Sequence, residues 1–198
     1  MSGPGDVTPA DVHRSVVQYP GGLAARYRWT GSGGIAAITA LSEVGGTLTD
    51  HGHLVADDPD RLCRAELRVE GPLGTWTARF ASVISDEPDG LLWDTEGLLL
   101  VRYGFRVYAL EGRTGELRWS RDSGTPTVAL LGSSRLDHVI VQSEVETLAL
   151  AGDGRVVWRL AHSDVITGAE LVGGRLVLTA WGGTLLTIDP VSGREAVA

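Results

Sequence analysis

The chain has 198 residues, enough for one substantial core or for a small domain with an appendage. Its net charge is −8 and all 17 basic residues are arginines, so no lysine exists for a P-loop, a Schiff base or a Ser-Lys dyad. The lack of a concentrated basic face argues against binding to nucleic acid or to an anionic membrane.

Cysteine usage and the first residues indicate the compartment. Cys63 is the single cysteine, which excludes an internal disulfide and is typical of a reducing environment. The N-terminus lacks the basic start and apolar core of a secretory signal, and no run of about 18 apolar residues occurs. These features predict a cytoplasmic protein without a transmembrane helix.

The N-terminal region is predicted to contain a flexible tail and then one short helix. Residues 1–7 are the tail, and Thr8, Pro9 and Asp11 have the order of a helix start, with Thr8 as N-cap. The buried stripe of this helix would be Val12, Val16, Val17 and Tyr19. Pro20 would end it.

The rest of the region 8–85 is predicted to be mostly β. Polar and apolar residues alternate over 25–29, 65–69 and 74–80, as in half-buried strands. Residues 35–44 fit either a small-residue helix or a strand.

One segment of this region has the residue types of a metal site. His51 and His53 would place both rings on one face of a strand, and Asp57 could complete a zinc or nickel site. The favoured interpretation is a polar turn followed by a solvated acidic loop, because no second metal motif accompanies the histidines.

Three further candidates have structural interpretations that we favour. The stretch 31–36 matches the weak dinucleotide pattern G-x-G-x-x-A but is too close to the next glycine pair for a crossover helix, so it predicts a hairpin turn. Arg61 and Arg64 could lower the thiol pKa of Cys63, yet a lone cysteine at a strand start is typically packed. Five arginines could form a recognition surface or could simply be solvated residues on strand faces, and we favour the second interpretation. These residues are Arg102, Arg106, Arg118, Arg121 and Arg135.

A repeat with a period of about 39 residues begins after residue 88. Gly115, Gly154 and Gly193 are separated by this spacing, as are Trp119, Trp158 and Val197. Each copy contains short apolar runs divided by turns, with the glycine where a hairpin needs a left-handed residue. Four strands in about 40 residues is typical of a propeller blade, and each tryptophan is expected to pack against the next copy.

The repeat resembles the quinoprotein-like (PQQ-like) β-propeller family over about residues 88–198. The family motif, Ala-x-Asp-x-x-Thr-Gly-x-x-x-Trp, is matched by Ala109, Thr114, Gly115 and Trp119, with Glu111 in place of the aspartate. Later copies keep part of it: Ala149, Gly154 and Trp158, then Asp189 and Gly193. The resemblance implies a structural role for these residues.

The resemblance also implies something about cofactors. The family's enzymes are oxidoreductases that hold a quinone and a divalent cation inside a closed propeller of many more blades. This chain is much shorter and lacks the adjacent cysteine pair that some of them use. We therefore expect a cofactor-free, non-enzymatic member.

The predicted fold is all-β: a partial or small β-propeller of three four-stranded blades over 88–198, preceded by one or two degraded blades or a small β domain. Three blades do not close a propeller, whose smallest forms have about four. Open blade edges are normally covered by another element or chain. We predict a protein-protein interaction or scaffold module with a protein partner or self-association through these edges. The alternative is a metal-dependent enzyme, or a sensor of a metal or small molecule, that uses His51 and His53.

Overall fold

The computed structural model describes residues 11–31, the backbone of 47–50, and residues 62–195. The chain divides between Glu87 and Pro88 into two compact units. Within the described ranges, no helix is long and apolar enough to cross a bilayer.

The first unit contains one five-stranded sheet in the order β1-β2-β4-β5-β3, antiparallel except for the parallel pair β3 and β5. The strands predicted over 25–29, 65–69 and 74–80 are confirmed. The strand bounds are β1 (His13–Tyr19), β2 (Leu23–Thr30), β3 (Thr47–Asp50), β4 (Cys63–Gly71) and β5 (Gly74–Ser82). A short 3-10 turn, Pro20–Gly22, connects β1 to β2.

The predicted N-terminal helix is wrong. His13–Tyr19 is β1, which pairs with β2 in unbroken antiparallel register from His13↔Trp29 to Tyr19↔Leu23. Ser15, Val17 and Tyr19 are half-buried while Val16 is exposed, the two-residue alternation of a strand. The β-branched valines and the neighbouring strand outweigh a helix start that Thr8 and Pro9 only suggested.

The second unit contains three antiparallel sheets, one for each copy of the repeat. The first blade consists of β6 (Asp89–Trp93), β7 (Leu98–Tyr103), β8 (Arg106–Glu111) and β9 (Leu117–Asp122), with a 3-10 turn at Asp94–Glu96. The second consists of β10 (Thr127–Leu131), β11 (Val139–Ser143), β12 (Glu146–Leu150) and β13 (Val156–Ala161). The third consists of β14 (Ile166–Val172), β15 (Arg175–Ala180) and β16 (Leu185–Ile188). The fold is thus all-β and of propeller type, as predicted.

Apolar side chains fill the space between successive blades. Leu100 and Ala109 of the first blade share one buried cluster with Val141 and Leu148 of the second. A second cluster joins Ile140 to the third blade. Because both faces of the middle blade are covered in this way, its strands β11 and β12 are almost entirely buried, whereas its outer strand β13 alternates half-buried and exposed residues.

Backbone hydrogen bonds fix the connection from each blade to the next. The segment that leaves the last strand of one blade donates to carbonyl groups in that blade's central hairpin. The bonds are Ser123 N to Phe105 O (2.8 Å), Thr127 N to Gly104 O (3.0 Å), His162 N to Val145 O (2.8 Å) and Ile166 N to Glu144 O (2.7 Å). The same geometry occurs at both junctions, so the repeat continues in the connections.

The third blade is the least complete of the three. Its fourth apolar run contributes only the isolated bridge Ile188↔Glu195 within the described part of the chain. Residue 197, which takes the tryptophan position, lies outside that part.

Candidate functional site

The closing turn of each blade is built in a similar way in all three copies, although the second turn is one residue shorter than the others. The amide of its first residue bonds the carbonyl beyond the glycine: Glu111 N to Glu116 O (2.8 Å), Ala151 N to Arg155 O (2.9 Å) and Asp189 N to Arg194 O (2.8 Å). The glycines have positive φ, at 73° for Gly115, 82° for Gly154 and 70° for Gly193. The chain reverses here in a conformation that favours glycine.

Trp119 of the first blade reaches the closing turn of the second. Its indole Nε1 donates to Gly152 O at 2.8 Å. A Cβ added at Gly154 would lie 2.8 Å from Trp119 Cγ, so the ring rests directly on this glycine. The lack of a side chain at Gly154 is therefore part of the interface between blades.

Trp158 repeats the arrangement against the third blade. Its Nε1 donates to Pro190 O at 3.1 Å, and a Cβ at Gly193 would lie 2.5 Å from Trp158 Cε3. His138 Nε2 lies 2.8 Å from the same carbonyl oxygen, and the two rings meet edge to face. Because a carbonyl only accepts, His138 carries its proton on Nε2.

The remaining motif residues shape the turns. Thr114 Oγ1 accepts a bond from Glu116 N at 3.2 Å. Asp189 accepts from Ser192 Oγ at 2.8 Å and from Val191 N at 3.0 Å, and these bonds hold the pKa of its carboxyl below the usual value, the Ser192 bond most of all. Ala109 is fully buried opposite Trp119.

A polar network occupies the middle blade. Thr147 Oγ1 donates to Gln142 Oε1 at 2.5 Å and lies 2.7 Å from His162 Nε2. Because the hydroxyl proton goes to Gln142, His162 donates to Thr147 from Nε2. Burial lowers the pKa of His162, which favours the neutral ring. His138 and His162 thus both make structural hydrogen bonds, which the periodicity of the sequence does not indicate.

Four of the arginines considered for recognition make contacts inside the second unit, two of them from the first blade to the second and two within the first blade. Arg102 donates to Thr127 O at 3.1 Å, and Arg121 to Gly154 O at 3.1 Å. Arg106 and Arg118 pair with Asp122 and Glu111 at 3.4 Å. This supports their interpretation as structural and solvated residues of the strands.

The other candidates from the sequence separate into two groups. Cys63 is buried at the start of β4, where desolvation raises the pKa of its thiol, and it is therefore packed. His51, His53 and Asp57 lie outside the described residues, so the metal site stays a prediction. Within the described ranges, no group of three or more histidine, cysteine or acidic side chains could hold a metal ion.

Large apolar side chains are exposed at one end of the third blade. Trp181, in the hairpin between β15 and β16, is 78% exposed, and Leu185, at the start of β16, is 63% exposed. Trp181 N donates to Val165 O at 2.7 Å, which brings Val165 beside the hairpin. We call these three residues the Trp181 patch. In the sequence, Trp181 stands directly before a pair of turn glycines, which indicates its place in a hairpin. The sequence does not indicate that Trp181 is exposed.

Comparisons with known proteins agree with the repeat. Residues 103–196 match the PQQ-type family model described as Outer membrane protein assembly factor BamB, which confirms the resemblance over these residues. The sequence matches none of the curated proteins with which it was compared.

Two solved structures show the same fold at low identity. The computationally designed Ika8 protein is 12% identical, with a TM-score of 0.54 over 92% of this chain and 59% of its own. BamB from Moraxella catarrhalis is also 12% identical, with a TM-score of 0.51 over 96% of this chain and 66% of its own. The chain thus spans less than two thirds of the length of either structure.

Proposed function

We propose that this chain is a non-enzymatic protein-interaction or scaffold module that associates with a second copy of itself through the outer face of its third blade. The observation that carries this proposal is the Trp181 patch. A single exposed apolar residue is ordinary, whereas three together, one of them a tryptophan, are typical of an interaction site.

The register of the third blade supports a surface adapted for reversible contact. Leu100 pairs with Ala109 in the first blade and Ile140 with Ala149 in the second, all of them buried. The third blade has Val177 paired with Thr187 at the corresponding positions, and Thr187 is exposed. A polar residue at a core position is expected where the partner comes and goes.

Charges on the same face suit a second copy. Glu170 pairs with Val177 across β14 and β15, at the position held by Leu131 in the second blade. Arg175 is also exposed and begins β15. In a two-fold contact each patch meets itself, so a face that carries both signs can pair its carboxylate with the partner's guanidinium.

The edge of β16 offers backbone groups for the same contact. In the described residues it pairs with β15 on one side and otherwise makes the single bridge Ile188↔Glu195. An edge of this kind accepts a strand from another chain. The matched family is described as an assembly factor, which is consistent with a module that works through contacts.

The experiment is light scattering during size-exclusion chromatography over a range of concentrations at about 150 mM salt. We expect a dimer for the natural chain and a monomer for Trp181→Ser/Leu185→Ser. Leu73→Ser is the matched control, since Leu73 is 69% exposed in the other unit, and it should leave the dimer unchanged.

Two outcomes contradict the proposal. If the natural chain stays monomeric at all concentrations, a second copy does not bind the Trp181 patch, even if another protein co-purifies with the chain. A dimer that survives the double substitution places the contact elsewhere.

A further inference from the structure

A cleft lies between the first two blades. It has a volume of about 530 Å³ and lies between the 3-10 turn Asp94–Glu96 of the first blade and the loop 132–138 of the second. This volume is in the range of ligand-binding pockets in proteins, roughly 300–1,000 Å³.

The floor of the cleft is apolar. Leu91, Trp93, Leu136 and Val139 line it, and the first three are half-buried although both neighbouring blades are in place. A Cβ at Gly132 would lie 3.2 Å from Leu91 Cδ1, so the backbone of the second blade lies directly against Leu91. Burial of this floor by a ligand would be favourable.

The rim selects the kind of ligand. Asp94 and Glu96 come from one wall and Asp137 from the other, and all three are exposed. Carboxylates elsewhere in this unit, such as Asp122 and Glu146, pair with arginines. None of the three rim carboxylates has an ion pair within the described part of the chain, and Arg135, in the same loop, does not line the cleft.

We propose that this cleft binds an arginine-bearing segment of a partner protein. The guanidinium would meet the rim carboxylates and the face of Trp93, and apolar residues beside the arginine would cover Leu91 and Leu136. Arginine combines a fixed charge with a planar group that stacks on aromatic rings, which suits this mixture of groups. The inference rests on the proposed function, to which it adds the chemistry of a second partner.

The test uses a fluorescein-labelled peptide, Gly-Leu-Arg-Gly-Leu-Arg-Gly, and the same peptide with citrulline in place of arginine. Fluorescence anisotropy with the full chain should detect binding of the arginine peptide that weakens with salt. The substitutions Asp94→Asn, Glu96→Gln and Asp137→Asn together should weaken it about tenfold. Ser134→Trp, which fills the cleft and keeps its charges, should abolish it.

A matched variant separates the cleft from the net charge. Glu116→Gln, Asp164→Asn and Glu195→Gln change the same number of exposed carboxylates elsewhere in the unit, and binding should stay within about twofold of the natural chain. Equal losses in the two triple variants, equal binding of the citrulline peptide, or no binding to the natural chain would each overturn the inference.

The same variants distinguish this inference from the proposed dimer. Light scattering on the cleft variant should show an unchanged dimer. If the cleft variant is a monomer, the cleft binds the second copy of the chain, and the inference of an arginine-bearing partner segment is overturned. Absence of peptide binding with an intact Trp181-dependent dimer would refute the inference alone.

Discussion

Gly154 and Gly193 satisfy two constraints at one position. Each has a positive φ, and each supports the indole ring of the preceding blade. Any other residue would meet both the backbone strain of the left-handed region and a collision with the ring. The requirement for glycine at these positions is therefore stronger than turn chemistry alone would make it.

Alanine substitutions separate the two constraints. Gly183 also has a φ of 82°, but a Cβ there would contact nothing within 4 Å. Gly183→Ala should cost about 1 kcal/mol of the free energy of unfolding from backbone strain. Gly154→Ala should cost about 1–3 kcal/mol more, because Trp119 must move. Urea unfolding of both variants measures the difference, and equal losses would show that the ring does not rest on Gly154.

At the scale of strands, a buried ladder of charges crosses the sheet of the first unit. Arg28 of β2, Glu66 of β4 and Arg79 of β5 are directly opposite one another in register. Glu66 is only 3% exposed, and its carboxylate bonds the guanidinium groups of both arginines. One poorly solvated carboxylate thus links three neighbouring strands.

The ladder predicts unequal costs for two glutamates of β4. Glu66→Ala should destabilise the chain by about 3–5 kcal/mol, because both arginines lose their hydrogen bonds to this buried carboxylate. Glu70→Ala is the control on the same strand. Glu70 also pairs with arginines but is more exposed, and its loss should cost clearly less than the loss of Glu66. Thermal or urea unfolding tests this, and similar losses for both would mean that the buried ladder adds no stability.

The elements differ in how far the sequence alone predicts them. The 39-residue spacing of Gly115, Gly154 and Gly193 is enough to predict one blade for each copy and the packing of each tryptophan against the next copy. A repeat period predicts only contacts that occur in every copy. It does not predict a hydrogen bond that occurs once, such as the bond from His138 to Pro190.

Local signals fail in another way at the N-terminus. Thr8 and Pro9 suggest a helix start, while the alternation from Ser15 to Tyr19 matches a strand, and pairing with β2 decides between them. The cleft was also beyond sequence reasoning, because Asp94 and Asp137 come together only through the packing of two blades.

At the scale of the whole molecule, the blades of the second unit differ in how completely they are covered. Every residue of β11 is buried, whereas Leu185 and Thr187 of β16 are exposed. In stacked repeats, stability comes from each unit and from its contacts with neighbours. The third blade has one such described contact, with the second blade, and the second blade has two.

This difference predicts an order of hydrogen exchange. Amides of β11 and β12 should exchange most slowly in the second unit, and those of β16 should exchange fastest among its paired strands. Exchange followed by mass spectrometry on the natural chain measures it. The Trp181→Ser/Leu185→Ser monomer serves as control, since β16 should exchange faster still when its edge is free. Uniform exchange across the three sheets would contradict the prediction.

The indole contacts all run in one direction along the chain. Trp119 is seated by residues 152 and 154, and Trp158 by residues 190 and 193. During synthesis, the first and second blades therefore each leave the ribosome with their tryptophan before the turn that receives it has been made. The last contact of each of these two blades forms only after the next blade is made, so the order of translation becomes the order in which the interfaces can close.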